Sequence, residues 1–309
     1  MDLLRFYTSI YTLLNNPKGM PYWVLSPIRR AIRILANHTL PIYLRIPVAY
    51  SNNVAKGVIV SLTSFPGRIA IVWQVIETLK RQSVRPEKIL LWLSKEQFPK
   101  ETDIPFELRS IQDEVFGIRI VEGDIRSHKK YFYVMQEFPD YTIITCDDDI
   151  YYHPDLLKYL IATANSYPHC ITANVTNQLQ YNDEELCSYN KWQRNFKAFS
   201  SHNRVQIGLG GVLYPPHSIN KMAFRKDLLI KLAPLADDLW LNSMARLAQT
   251  PVIQTEFHYL WMDIHIEAPS LSSVNNGIEN MNDKQLRQIR EFLIAEGLQD
   301  IYAFNYVVG

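Results

Sequence analysis

Residues 142–150 constrain this chain most. An apolar run, Ile143, Ile144, Thr145 and Cys146, stops on three consecutive carboxylates, Asp147, Asp148 and Asp149. A short β-branched run bounded by polar residues reads as a buried strand, and acids at its carboxyl end lie where open α/β sheets bind ligands. Three adjacent aspartates repel one another and need compensating positive charge. A hard divalent cation, Mn²⁺ or Mg²⁺, takes oxygen ligands and is the economical choice. Alternation along an extended chain puts Asp147 and Asp149 on one side, where they can share a metal, and Asp148 on the other. A solvated acidic turn before the helix that Pro154 opens is the alternative.

The pattern around this strand is regular. Residues 58–62, 89–93, 118–122, 170–175 and 252–254 also read as strands, and residues 69–82, 106–113, 128–138 and 155–166 as helices between them. Such alternation predicts βαβ units and a doubly wound, mostly parallel sheet with flanking helices, an α/β fold. Residues 177–204 are polar, aromatic and poorly periodic, hence loop-rich, and residues 208–216 (GLGGVLYPP) read as a compact turn. Residues 222–232, 238–248 and 283–296 read as further helices, the last terminated by Gly297.

Charge separates the first fifty residues from the rest. Six basic side chains against Asp2 alone give residues 1–50 a charge of +5 in a chain whose net charge is +1, so the body carries no basic field for nucleic acid. Ile32, Ile34 and Leu35 beside Arg29, Arg30 and Arg33 predict an amphipathic helix with a basic face, and residues 37–53 a connector. That helix either lies on an anionic membrane or packs on protein. No stretch has the length of apolar residues that a membrane span needs, and three cysteines without a C-x-x-C pair fit a reducing cytoplasm. A cytoplasmic chain, peripheral on the inner face of the membrane if the basic helix binds lipid, is therefore expected.

Several side chains suit anionic substrates. The turn S61-L-T-S-F-P-G-R68 offers Thr63 and the Arg68 cation after the first strand, but with one glycine it is neither a Walker A loop nor a dinucleotide fingerprint. Lys129 and Lys130, after His128, bring two ammonium groups toward the aspartates. Asp237 and Asp238 open a helix, where aspartate serves either as cap or as functional acid. Trp192, with Tyr181, Tyr189, Phe196 and Phe199, either stacks on a sugar or packs in a core.

In this order the residues resemble the nucleotide-sugar glycosyltransferases of the GT-A (nucleotide-diphospho-sugar transferase) fold, over residues 58–255. The features are the first turn with Arg68, the strand-end D-x-D at Asp147 to Asp149, the glycine turn at Gly210 and Gly211, and the acidic pair Asp237 and Asp238. The resemblance implies that Asp147 and Asp149 hold Mn²⁺ or Mg²⁺ on the donor diphosphate, with Asp147 and Asp148 near the nucleotide. It implies that Gly210 and Gly211 line the acceptor side and that a late acid, Asp238, faces the acceptor hydroxyl, with Asp237 as cap and neighbour. A late histidine often completes the metal site in this family; His258 and His265 both qualify by position, and either could instead be a backbone-bonded imidazole.

The expected organisation is a basic N-terminal extension, residues 1–53, and a transferase domain, residues 54–309, with a nucleotide-binding half to residue 176 and an acceptor-side half from 177. The expected activity is metal-dependent transfer of a sugar from a nucleotide diphosphate donor, a UDP-sugar, to a glycan or lipid-linked acceptor. Nucleotidyl transfer is the alternative, although it normally opens with a glycine-rich loop where this chain has only Gly67. A membrane-associated sugar-binding protein without turnover is a third reading.

Overall fold

A computed structural model describes residues 2–14, 22–195, 197–257, 261–265 and 280–306. Side-chain alternation in strand β1 (Val54–Thr63) sends Val58, Val60 and Leu62 into one apolar core and Ile59 into another on the opposite face. A strand covered on both faces belongs at the centre of a sheet. It pairs in parallel with β2 (Arg85–Ser94) on one side and with β4 (Thr142–Thr145) on the other, and β3 (Phe116–Val121) continues beyond β2.

The other half of the sheet uses shorter strands, β5 (Ile171–Ala173), β6 (Ser200–Ser201), β7 (Val212–Tyr214) and β8 (Val252–Gln254), and the full order is β6-β8-β5-β7-β4-β1-β2-β3. Strand β7 was not expected: it lies inside residues 208–216, read above as a turn, and runs antiparallel between β4 and β5. Three apolar residues are too few to show periodicity, so only the sheet reveals it. The mostly parallel α/β sheet expected from the sequence is thus present, with two antiparallel strands.

Helices cover both faces. Helices α1 (Leu3–Leu13), α2 (Tyr22–Leu44), α3 (Val72–Lys80) and α4 (Leu156–Ser166) share the core that holds Val58, Val60 and Leu62, and α5 (Asp237–Leu247) and α6 (Met281–Ala295) cover the β5–β7 half. Residues 37–44 are helical, not a connector: α2 continues through Pro27 and Pro41 because Ala36, Leu40 and Leu44 bury on its inner face. The N-terminal helices are stitched to the body by Leu4 and Tyr11 in the same core and by the Arg5–Asp155 ion pair. Residues 128–138 do not form one helix but a 3-10 turn (Arg126–His128) followed by short helices Lys129–Phe132 and Val134–Glu137.

Candidate functional site

Strands β1, β2 and β4 end at one edge, and antiparallel β7 begins there, since Val212 pairs with Thr145. That edge bounds a cleft of about 1190 Å³ lined by Thr63, Arg68, Lys130, Asp147 to Asp149, Asp237, Asp238 and Asp263, among others. The three central aspartates do not alternate as expected. The strand ends at Thr145 and the chain bends at Asp148 and Asp149, so these two face the same cation. Arg68 Nη1 lies 2.8 Å from Asp148 Oδ1 and 2.8 Å from Asp149 Oδ2, and the Ser64 hydroxyl donates to Asp148 Oδ2 at 2.6 Å. Asp147 turns away to Lys130, whose Nζ is 3.0 Å from its Oδ1.

Lys130 ties two regions that are far apart in sequence. Its buried ammonium also pairs with Asp237 Oδ2 at 2.8 Å. Burial opposes ionisation of Asp237, yet Lys130 and His128 hold its carboxyl below the ordinary range. Asp237 is therefore not a cap: Ala236 occupies that position, and Asp237 is the first helical residue of α5 with its carboxylate in the ion pair. Asp238 accepts from the Gly208 N–H through both oxygens, at 3.0 and 3.2 Å. Burial, then the neighbouring Asp237, push Asp238 up to about 7.

Gly208 is the glycine that the arrangement requires. A Cβ there would lie 2.9 Å from Lys130 Nζ and 3.1 Å from Asp238 Oδ1. Gly210 and Gly211 instead pack away from the cleft: a Cβ on Gly210 would meet Val175 at 2.6 Å, and Gly211, at φ +84°, sits against Leu156 of α4. Trp192 likewise does not line the cleft. It is buried in the second core and its indole donates to the Cys187 carbonyl at 2.9 Å. The cleft's aromatic side chains are Phe65, Tyr189 and Trp261, the last packed under the Arg194 guanidinium at 4.4 Å. Phe196 and His258 lie outside the described residues.

Thr63 lines the cleft while its hydroxyl donates to the Trp92 carbonyl, and Lys129 pairs with Asp124. His265 reaches the cleft as an exposed residue, held by its backbone N–H donating to Asn37 Oδ1 at 2.8 Å. Asn37 also donates to the Asp263 carbonyl, and Arg33 lies 3.7 Å from the Asp263 carboxylate, so α2 holds the segment carrying both residues. Asp263 was missed from sequence. It reaches the site because Ile264 N–H donates to the Asp149 carbonyl at 2.7 Å.

Among the described residues no three metal-ligating side chains converge. Asp149 lies within electrostatic reach of Asp147 and of Asp263, and all three are hard oxygen donors. Burial, then Asp147 and Asp148, push Asp149 up to about 7 despite Arg68, and burial raises Asp263 as well. Partly buried carboxylates whose ionisation is opposed by one another fit a divalent cation.

No family model matches the chain, and no curated protein matches it. Among solved structures, an apo UDP-glucose pyrophosphorylase is similar at TM-score 0.41 and 9% identity, over 77% of this chain and 98% of that one. A UDP-glucose pyrophosphorylase complexed with UDP-glucose gives 0.42 and 10%, over 77% and 98%. The UTP-bound enzyme from Acinetobacter baumannii gives 0.41 and 11%, over 74% and 97%. At this identity and overlap the likeness is silent on chemistry.

Proposed function

We propose that the cleft binds a nucleoside-diphosphate sugar, a UDP-sugar, and transfers the sugar to a hydroxyl of a glycan or lipid-linked acceptor. The observation that carries this reading is the Lys130 bridge, which brings the strand-end aspartates and the α5 acids into one cleft. In this reading Arg68, Lys129 and Lys130, which line the cleft, would face the anionic leaving group and supply the electrostatic stabilisation such reactions need. Asp147, Asp149 and Asp263 would hold a divalent cation, Mn²⁺ or Mg²⁺, which when bound neutralises diphosphate charge. Asp238, with a carboxyl near 7, suits removal of the acceptor proton, and Gly208 fixes its orientation.

The second reading is nucleotidyl transfer, the chemistry named for the similar solved structures. Two features of this chain favour sugar transfer over it. Triphosphate binding after the first strand needs a cradle of backbone N–H groups. Here that loop contains Phe65 and Pro66, the latter without an N–H, and Gly67 stands against the Phe65 ring. Moreover, a sugar phosphate nucleophile is already ionised and needs no base, and Asp237 and Asp238 would repel it; a neutral hydroxyl needs one. Incubation with UDP-sugars and Mn²⁺ should release UDP, while UTP with sugar 1-phosphates should release no pyrophosphate. The reverse pattern would establish nucleotidyl transfer, and neither release would leave a binding protein.

A further inference from the structure

Helix α2 has two apolar faces, and among the described residues only one of them is buried against the protein. Leu25, Ala36, Leu40 and Leu44 are buried on the inner face. On the outer face Trp23 is 75% exposed, Leu35 54% and Ile42 67%, with Ile28 and Ile34 also exposed. Trp23, Pro27, Ala31, Ile34, Leu35, His38 and Ile42 recur at three- and four-residue spacing, so they form one outward stripe, apolar but for His38, along a 23-residue helix, roughly 34 Å long. Helix α1, hydrogen-bonded to α2 through Tyr7 and Thr39, adds Leu13 at 71% exposed. A contiguous apolar surface of this kind normally has an occupant.

The charges around the stripe identify it. Residues 22–50 contain Arg29, Arg30, Arg33 and Arg45 and no aspartate or glutamate. Arg30 and Arg45 are exposed beside the stripe, with Arg45 also packed over Trp73. A second copy of this chain, docked face to face, would set arginine against arginine with no acid from α2 to pair them. Anionic headgroups meet the same rim with complementary charge, Trp23 suits the boundary between headgroup and acyl chain, and arginine stems cover apolar surface while their heads stay hydrated. No helix among the described residues is long and apolar enough to cross a membrane, so α2 would lie in the surface plane.

We infer that the outer face of α2 docks on an anionic lipid bilayer, with the stripe of Trp23, Leu35 and Ile42 entering the interface and Arg30 and Arg45 facing lipid phosphates. Arg33 of the same helix faces the cleft instead, 3.7 Å from the Asp263 carboxylate. The inference stands apart from the transferase reading and is tested without any activity.

The test uses the full chain, since removing residues 1–51 would strip Leu4, Tyr11, Leu40 and Leu44 from the core. The chain should float with phosphatidylcholine vesicles containing phosphatidylglycerol and not with phosphatidylcholine alone, and raising salt from about 0.1 M to about 1 M should release it. Arg30→Gln should weaken binding about fivefold. Leu35→Gln with Ile42→Gln should weaken it on the order of a hundredfold, each being exposed enough to leave the melting temperature unchanged. Arg225→Gln, a distant exposed arginine, should leave it as it is. Equal flotation on neutral vesicles, or no flotation by a folded chain, overturns the inference. So does a concentration-dependent dimer that Leu35→Gln with Ile42→Gln abolishes, which would make a second copy the occupant.

Discussion

The Lys130 ammonium lies 2.8 Å from the Asp237 carboxylate, inside a wall that also holds Asp147. Removing one partner of a buried ion pair leaves the other uncompensated, at a cost of about 3–5 kcal/mol. Lys130→Met should therefore lower unfolding free energy in urea by about that amount. Adding Asp237→Leu should recover much of the loss, because both charges are then gone. A double variant no more stable than Lys130→Met would show that Asp147 is the partner that matters.

Arg68 occupies the space between Asp148 and Asp149 that a cation would share. Arg68→Gln should therefore tighten Mn²⁺ binding in the absence of nucleotide, since Asp149 loses its competing guanidinium, while weakening UDP binding. Spin-resonance titration of free Mn²⁺ and calorimetry with UDP measure the two separately. Asp149→Asn should weaken Mn²⁺-dependent UDP binding and leave the fold intact.

Asp238 acts as base only when ionised. Its carboxyl, held near 7, makes transfer rise with pH through that value and level off above it. Asp238→Asn should lower kcat by ~10² to 10⁴ and remove that limb, with UDP affinity near wild type. The sign for stability is opposite. Because the folded carboxyl stays protonated to higher pH than the unfolded one, stability contributed by Asp238 falls as pH rises from about 4 toward 7. Asp238→Asn should flatten that decline.

The two glycine positions should separate by phenotype. Gly208→Ala pushes a methyl against Lys130 and Asp238, so transfer should fall sharply. Gly210→Ala meets Val175 in the packed interior and should chiefly destabilise, by about 1–3 kcal/mol, with kcat of the folded fraction retained.

Arg5 and Asp155 fasten α1 to the start of α4. The Arg5 hydrogen bond, against some burial, holds the Asp155 carboxyl down to about 2. A depressed carboxylate stabilises above its unfolded pKa, so the advantage of wild type over Asp155→Asn should be present above about pH 4 and vanish as pH falls toward 2. Its size should be about 1 kcal/mol or less, since Arg5 is partly exposed. Melting temperatures of both proteins across this range measure it.

Periodicity and local chemistry were enough to read the mostly parallel sheet, the strand that ends on aspartates and an amphipathic helix through residues 29–35, because period, burial and turn chemistry act over a few neighbouring residues. Strand β8 matches its expected bounds, residues 252–254. What those signals could not carry was pairing across the chain. Nothing local distinguishes Gly208 from Gly210; only the antiparallel insertion of β7 beside β4 brings Gly208 to Lys130. Trp192 and Trp261 are alike as residues, and folding alone buries the first and opens the second to the cleft. Asp263 has no motif, and it reaches Asp149 because residues 262–263 pair antiparallel with residues 150–151 and α2 grips the segment. Lys130 could be read as a surface lysine, and it became the buried link between Asp147 and Asp237 because an ion pair needs distance, which sequence order does not encode.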